Sequence, residues 1–428
     1  MLYYSKGKYT ESGSLEDLSA NDLREGVVRA LESLGKRKRV LVIPPDFTRY
    51  HSRAGEITEM IWQYYGDAVQ AVLPAIGTHF PMTGEEISKM FGKVPARLFR
   101  NHNWRSDVLT LGRVPADFLI EVSDGRVTYD WPAQVNRLLV EGNFDLILSV
   151  GQVVPHEVIG MANHNKNIFV GTGGPEGINK SHFLGAAYGM ERIMGRADSP
   201  VRKVLDYAEK HFAADLPIVY IQTVLGKDEH GSLKTRGIFI GDDRECFDLA
   251  AELSLQVNFE LLDKPLKKIV VYLDPSEFKS TWLGNKSIYR TRMAIDDDGE
   301  LIVLAPGLTE FGEDRTIDGL IRKYGYVNTP RILELCDENP DLGENLSAAA
   351  HLIHGSTEGR FSVNYCPGGI SRNEIESVNY KYADLNSMIS RYDPEKLRDG
   401  VNIMEDGEEI FYISNPALGL WAYKERFK

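Results

Sequence analysis

Val40-Leu-Val-Ile-Pro-Pro-Asp-Phe-Thr-Arg49 is the stretch whose reading decides the fold. Four apolar residues, bounded by charges before and prolines after, read as a short buried strand. The strand empties into the polar run Asp46-Phe-Thr-Arg49. Upstream, Ser19–Gly35 places Leu23, Val27, Val28, Ala30 and Leu31 at a helical period, and Gly35 is set to end the helix. Downstream the pattern repeats. A helix near 55–65 precedes the strand Ala71–Ile76, which empties into Gly77-Thr-His-Phe-Pro-Met-Thr83. Thr83 with Glu86 makes a capping box for the next helix. A third strand, Leu146–Val150, empties into Gly151-Gln-Val-Val-Pro-His156. Helices near 178–193 and 199–212, a strand at Ile218–Val224 and a helix near 243–255 follow. Strands alternating with helices indicate an α/β fold with a mostly parallel sheet.

A second such series opens with Lys268–Leu273 and Glu300–Ala305, followed by helices near 315–324, 329–337 and 342–354. The turn-rich stretch around Leu261–Pro265 reads as a boundary. The expectation is two α/β domains: 1–262, holding cofactor and catalytic groups, and 263–428, whose last residues pack back on the first. An active site is expected in the cleft between them.

Composition excludes several classes. The chain has 428 residues, and 49 Lys+Arg against 62 Asp+Glu gives a net charge of −13. Without a basic block it is a poor binder of nucleic acid or anionic membrane. No stretch approaches the ~20 apolar residues that span a bilayer, and the N-terminus lacks a signal-peptide core. Three scattered cysteines, Cys246, Cys336 and Cys366, make neither a metal knuckle nor a disulfide framework, which points to a reducing, cytoplasmic compartment.

Ligands of open α/β sheets bind beyond the carboxyl ends of the strands. Three loops in that position carry Asp46, Thr48 and Arg49, then His79, then His156. Two imidazoles facing one substrate from opposite sides suit proton transfer on either face. The segment from His156 to His182 holds five glycines, so its backbone is expected to approach something closely. Gly177-Ile-Asn-Lys180 has the wrong spacing for a Walker loop, Gly171–Gly177 is one residue too long for GxGxxG, and no HExxH occurs. On residues alone, a structural Ω-type loop with Lys166 and Lys180 solvated stands equally well.

The combination Asp46-Phe-Thr-Arg49, Gly77-Thr-His79 and His156-x9-Lys166-x15-His182 resembles the nickel-dependent lactate racemase family, strongest over residues 40–190. The resemblance continues through Tyr289 and Gly299–Ala305. It implies a racemase or 2-epimerase of 2-hydroxy acids that uses a nickel-pincer nucleotide (pyridinium-3-thioamide-5-thiocarboxylic acid mononucleotide), and hence dependence on the enzymes that make it. Carried over by position, Lys166 looks like the lysine joined to the cofactor, and His182 like its nickel ligand. His79 and His156 look like the paired acid/base residues. Arg49 looks like the group orienting the substrate carboxylate, with Asp46 and Thr48 helping to hold the nucleotide or that arginine. The implied chemistry is proton-coupled hydride transfer.

Two departures bear on substrate. The family's glycine- and serine-rich segment is here Met161-Ala-Asn-His-Asn165, whose polar side chains suit cofactor phosphate or a polar substrate, or simply cap a loop. The second-domain run Ile288-Tyr-Arg-Thr-Arg292 lacks the family's lysine, so Tyr289, Arg290 and Arg292 are taken as substrate-binding. These features favour a larger acid of the gluconate type over lactate. Two other readings stay open: a histidine-ligated metal-dependent hydrolase or lyase, and a carrier that holds a metallocofactor without turnover. His51, His102, His211, His230, His351 and His354 are set aside as structural or exposed.

Overall fold

The computed structural model describes residues 1–7, 17–228 and 232–427. They group into two compact units, Met1–Leu184 with Ile193–Asn258, and Gly185–Arg192 with Phe259–Lys428. Both are α/β, with mostly parallel sheets. Among the described residues no helix is long and apolar enough to cross a membrane.

The sheet of the first unit has six strands in the order Leu2–Lys6, Leu233–Gly241, Ile218–Lys227, Leu146–Gln152, Val40–Ile43 and Val69–Val72. The last four run parallel, and the first two add an antiparallel edge. Val40–Ile43 is fully buried, with Val40 and Val42 packed beside Leu146, Leu148, Ile57 and Ile61. A strand covered on both faces must be apolar at every position, which is why it reads as a run rather than an alternation. The helix Ala20–Leu34 buries Leu23, Val27, Ala30 and Leu31 on one face and starts at a Ser19–Asp22 capping box. The box at Thr83 and Glu86 is also present, opening Gly84–Phe91.

Three local readings change. The strand expected at 71–76 runs instead over Val69–Val72. Pro74 has no N–H to continue the ladder, although the Leu73 and Ala75 amides still donate to Val42 and Pro44 carbonyls at 2.9 and 2.7 Å. The glycine-rich segment is no Ω loop. Asn167–Gly171 forms a π-helical turn, and Pro175–Tyr188 is a helix that begins on its proline and ends before Gly189 at φ +110°. The helix expected at 342–354 begins at Leu346, because Asn345 caps the Ala348 amide and splits off a short turn at Pro340–Gly343.

The second unit's sheet has the order Lys381–Tyr382, Ser362–Pro367, Ile295–Ala305, Leu266–Tyr272, Glu409–Ile413 and Gly400–Ile403, with only the last strand antiparallel. Leu420–Tyr423 pairs in parallel with Phe259–Leu262 at the start of the same unit.

Candidate active site

In the first unit Val69–Val72, Val40–Ile43 and Leu146–Gln152 are sheet neighbours running the same way, so their following loops lie side by side. The first two loops are bonded to each other: His79 Nδ1 lies 2.6 Å from Asp46 Oδ2. Asp46, expected to hold a nucleotide, has its other oxygen engaged as well, by the amide and hydroxyl of Thr48. Burial works to raise the Asp46 pKa, but the His79 hydrogen bond and charge, with the Thr48 bonds, hold it below the usual value. The Asp46 side chain is 7% exposed and that of His79 is 55% exposed, so the anchor is interior and the working end reaches outward.

His156 ends the short turn after the central strand and is 9% exposed. Its Nδ1 accepts the Val158 amide at 3.1 Å. Burial pushes its pKa well down. Glu157 opposes this, while the positive charges of Lys166, Arg49 and His182 reinforce it.

Lys166 sits just before the π-helical turn, and among the described residues its amine makes no hydrogen bond. Burial, then the charge of Arg49, lowers its pKa to about 8 against the pull of Glu157 and Asp46. A part-buried amine with its pKa lowered to about 8 is still charged at neutral pH, but it offers far more free, nucleophilic amine there than an ordinary lysine. Lys180, the other lysine of the segment, is tied to Asp130 and Glu176.

His182 lies on the helix Pro175–Tyr188 with Nδ1 2.7 Å from the Ile178 carbonyl. That helix is clamped at its start: Trp131 Nε1 donates to the Gly177 carbonyl at 2.8 Å, and the Gly177 amide donates to Gln134 at 3.0 Å. At Gly173 an added Cβ would stand 2.0 Å from the Phe169 carbonyl oxygen, so only glycine passes there. His102, buried, braces the same turn through the Gly173 carbonyl and Asn136. Its structural reading agrees with this place.

The segment that carries Lys166 is held from behind by Arg202, which has no solvent exposure. Its guanidinium donates to the Met161 carbonyl at 2.8 Å, the Asn163 carbonyl at 3.2 Å and the Asn165 side chain. Asn165 in turn donates to Asp206 and Glu209 at 2.7 and 2.9 Å. This clamp accompanies positive φ at two successive non-glycine residues, Asn163 (+69°) and His164 (+56°), a conformation costing roughly 1–2 kcal/mol each. The His164 ring packs on Tyr220, centroids 3.9 Å apart, rather than toward Lys166. His164, Asp206 and Glu209 are the one group of three potential metal ligands among the described residues. Their carboxylate oxygens are already taken by Asn165, Arg244 and Tyr220, which makes the group an ion-pair network. Asn163 differs: it is 3% exposed, and neither end of its amide has a hydrogen bond among the described residues.

Arg49 lies half-buried between Asp46 and His51 in sequence, in a 3-10 turn. His51, set aside from the sequence, is beside Arg49 and Gln152. His230 lies outside the described residues. Tyr289, Arg290 and Arg292 belong to the second unit, each at most 6% exposed. There Arg292 is engaged by Glu191 at 3.2 Å and by Glu358 at 3.9 Å. Trp282 packs on His351, centroids 4.7 Å apart. The Arg202 clamp was missed because it lies 41 residues from the carbonyl it binds, on an otherwise ordinary amphipathic helix.

Residues 25–192, which include His79, His156, Lys166 and His182, match the lactate racemase N-terminal domain. A crystal structure of a Thermotoga maritima protein is similar at 25% identity and TM-score 0.78, over 95% of this chain and 99% of that one. The lactate racemase apoprotein of Thermoanaerobacterium thermosaccharolyticum shares the fold at 17% identity and TM-score 0.68, over 93% and 92%. No protein of curated function matches the sequence. Over residues 25–192 this chain is therefore similar to the lactate racemase N-terminal domain, and its fold as a whole is that of the two solved structures.

Proposed function

We propose that this protein is a racemase or 2-epimerase of 2-hydroxy acids that works with a nickel-pincer nucleotide joined to Lys166. The observation that carries the reading is the pairing of a part-buried Lys166 amine, without a hydrogen bond among the described residues, with a histidine oriented for metal. The Ile178 carbonyl fixes hydrogen on His182 Nδ1 and leaves a lone pair on Nε2, the arrangement metal-binding histidines adopt. The chain's own sulfur is unsuited: burial raises the thiol pKa of Cys246 and Cys366 to about 12 and of Cys336 to about 11. Sulfur ligands to nickel therefore come with the cofactor.

When bound, such a group supplies the acceptor for the C2 hydrogen as hydride. The protein supplies the rest. His79, oriented by Asp46, and His156 handle the hydroxyl proton, and Arg49 pairs with the substrate carboxylate. Burial around His156 and Lys166 keeps water from the planar intermediate. The substrate we place first is a larger polar acid of the gluconate type. The run Tyr289-Arg290-Thr-Arg292 supports it, since it lacks the family's lysine and offers Arg290 or Arg292 in its stead. His164 and Asn165 do not, being turned into the Arg202 network.

Protein made alongside the cofactor's biosynthetic enzymes should gain mass at Lys166 and about one nickel per chain. Lys166→Ala should lose both, and His182→Ala should keep the mass gain while losing nickel. No nickel and no Lys166-dependent mass gain would sink the reading. A screen of lactate, malate, phenyllactate and gluconate-type acids sets the substrate, and turnover of lactate alone would reject the polar-acid assignment.

A further inference from the structure

The sheet of the second unit ends on a bare edge. Its last strand, Gly400–Ile403, pairs with Glu409–Ile413 on one side, and among the described residues no strand pairs with the other. The Met404 amide donates to the Glu408 carbonyl at 2.8 Å and closes the hairpin between the two strands. Hydrogen-bonded and non-bonded residue pairs alternate along an antiparallel ladder. Asn402 and Gly400 therefore turn their N–H and C=O inward, to Ile410 and Tyr412. Val401 and Ile403 turn theirs outward.

The side chains add a second signal. Val401 is 58% exposed and Ile403 is 64% exposed, and two residues apart they stand on the same face of the strand. Edge strands that stay alone are blunted by lysine, proline or a bulge. Gly400-Val-Asn-Ile403 carries neither residue, and its register with Glu409–Ile413 runs without a shift. Asn402, on the opposite face, stiffens the strand. Its side chain donates to the Arg398 and Gly400 carbonyls at 2.7 and 2.9 Å and accepts the Arg398 amide at 3.2 Å. The outward groups are thus held extended before anything binds them.

We infer that this edge is a docking surface for a second copy of the chain: two Gly400–Ile403 strands pair antiparallel about a twofold axis at Asn402 and join two sheets into one. The register follows from the outward groups. Val401 of one copy faces Ile403 of the other, and each such pair exchanges two N–H···O bonds. The same pairs cover the four exposed apolar side chains with one another. Charge fits this direction too. Arg398 precedes the strand while Glu405 and Asp406 follow it, so an antiparallel mate sets each cation beside the other copy's acids. A parallel mate would set like charges together. A twofold contact of this kind closes at two copies. A four-residue ladder is small beside the roughly 1,600 Å² of a standard interface, so a dissociation constant on the order of 10 µM is expected.

Sedimentation of the full chain from about 1 to 200 µM tests this. The 48.1 kDa chain should pass from monomer to a species of twice that mass. Val401→Lys combined with Ile403→Lys should raise the dissociation constant at least about 10-fold. The unfolding midpoint should stay where it is, because both side chains are already more than half exposed. For the register, Val401→Cys protein mixed with Ile403→Cys protein under an oxidant should give a covalent dimer, and either alone should not. A monomer at every concentration overturns the inference and leaves the edge to some other partner. A dimer that the double lysine variant leaves intact overturns it as well, by placing the contact elsewhere. Equal cross-linking in the mixture and in each variant alone overturns the proposed pairing.

Discussion

His79 Nδ1 and Asp46 Oδ2, 2.6 Å apart, join the loops that follow two neighbouring parallel strands. The bond reaches across 33 residues and gives the more exposed histidine a fixed orientation from a buried carboxylate. Such a carboxylate holds the ring in one tautomer and steadies the imidazolium that forms when Nε2 takes a proton.

Asp46→Asn tests that role. An amide can present its N–H to Nδ1, which would put the ring hydrogen on Nε2 and remove the base. Turnover should fall by about 10²–10⁴ with nickel content and Lys166 mass gain unchanged. A variant that loses cofactor in proportion to activity would instead place Asp46 among the cofactor-holding residues.

Lys166 carries a pH signature. Its amine, lowered to about 8 from the ordinary 10.5, should react with an amine-directed reagent half-maximally near pH 8 in cofactor-free protein. Because the folded pKa lies below the unfolded one, the charged lysine destabilises the fold fully below pH 8, and the penalty fades as pH rises from about 8 to 10.5. Lys166→Met should therefore raise the denaturation midpoint at pH 7 and lose that advantage by about pH 10.5. Titration near the ordinary lysine value would contradict the burial argument.

Arg202→Met should cost about 3 kcal/mol or more, read from urea unfolding, because it leaves two buried carbonyls and the Asn165 side chain without their donor. Loading at Lys166 should fall more than loading at a merely destabilised control with the same midpoint. Equal loading would make Arg202 a stability residue only.

Gly151→Ala probes the packing between the central strand and the lysine segment. An added Cβ would stand 2.7 Å from Asn163 Oδ1 and 3.2 Å from Asn167 Nδ2, so one side chain must shift. A destabilisation of about 1–3 kcal/mol is expected, together with a change in Lys166 reactivity. Wild-type behaviour in both would show that Asn163 gives way freely.

The sequence by itself determined the α/β class and the strand-end loops proposed to carry the chemistry, because apolar periodicity is a local property. Val40–Ile43 reads as a buried strand from four adjacent residues, and Asp46, His79 and His156 follow strand ends whatever the distant chain does. The family resemblance, carried by the His156-x9-Lys166-x15-His182 spacing, is what singled out Lys166 and His182. What only the tertiary structure decided is what each polar atom faces. Hydrogen-bond partners come from residues far apart in the chain, and their direction settles the chemistry. Asp46 and Ile178 accept where Val158 donates, so His79 and His182 share one tautomer and His156 holds the other. Burial settles the rest: it turns Lys166 from a surface cation into an amine titrating near pH 8, and it turns His164 away into the network around Arg202. No local pattern carries either, since desolvation depends on everything packed around a group.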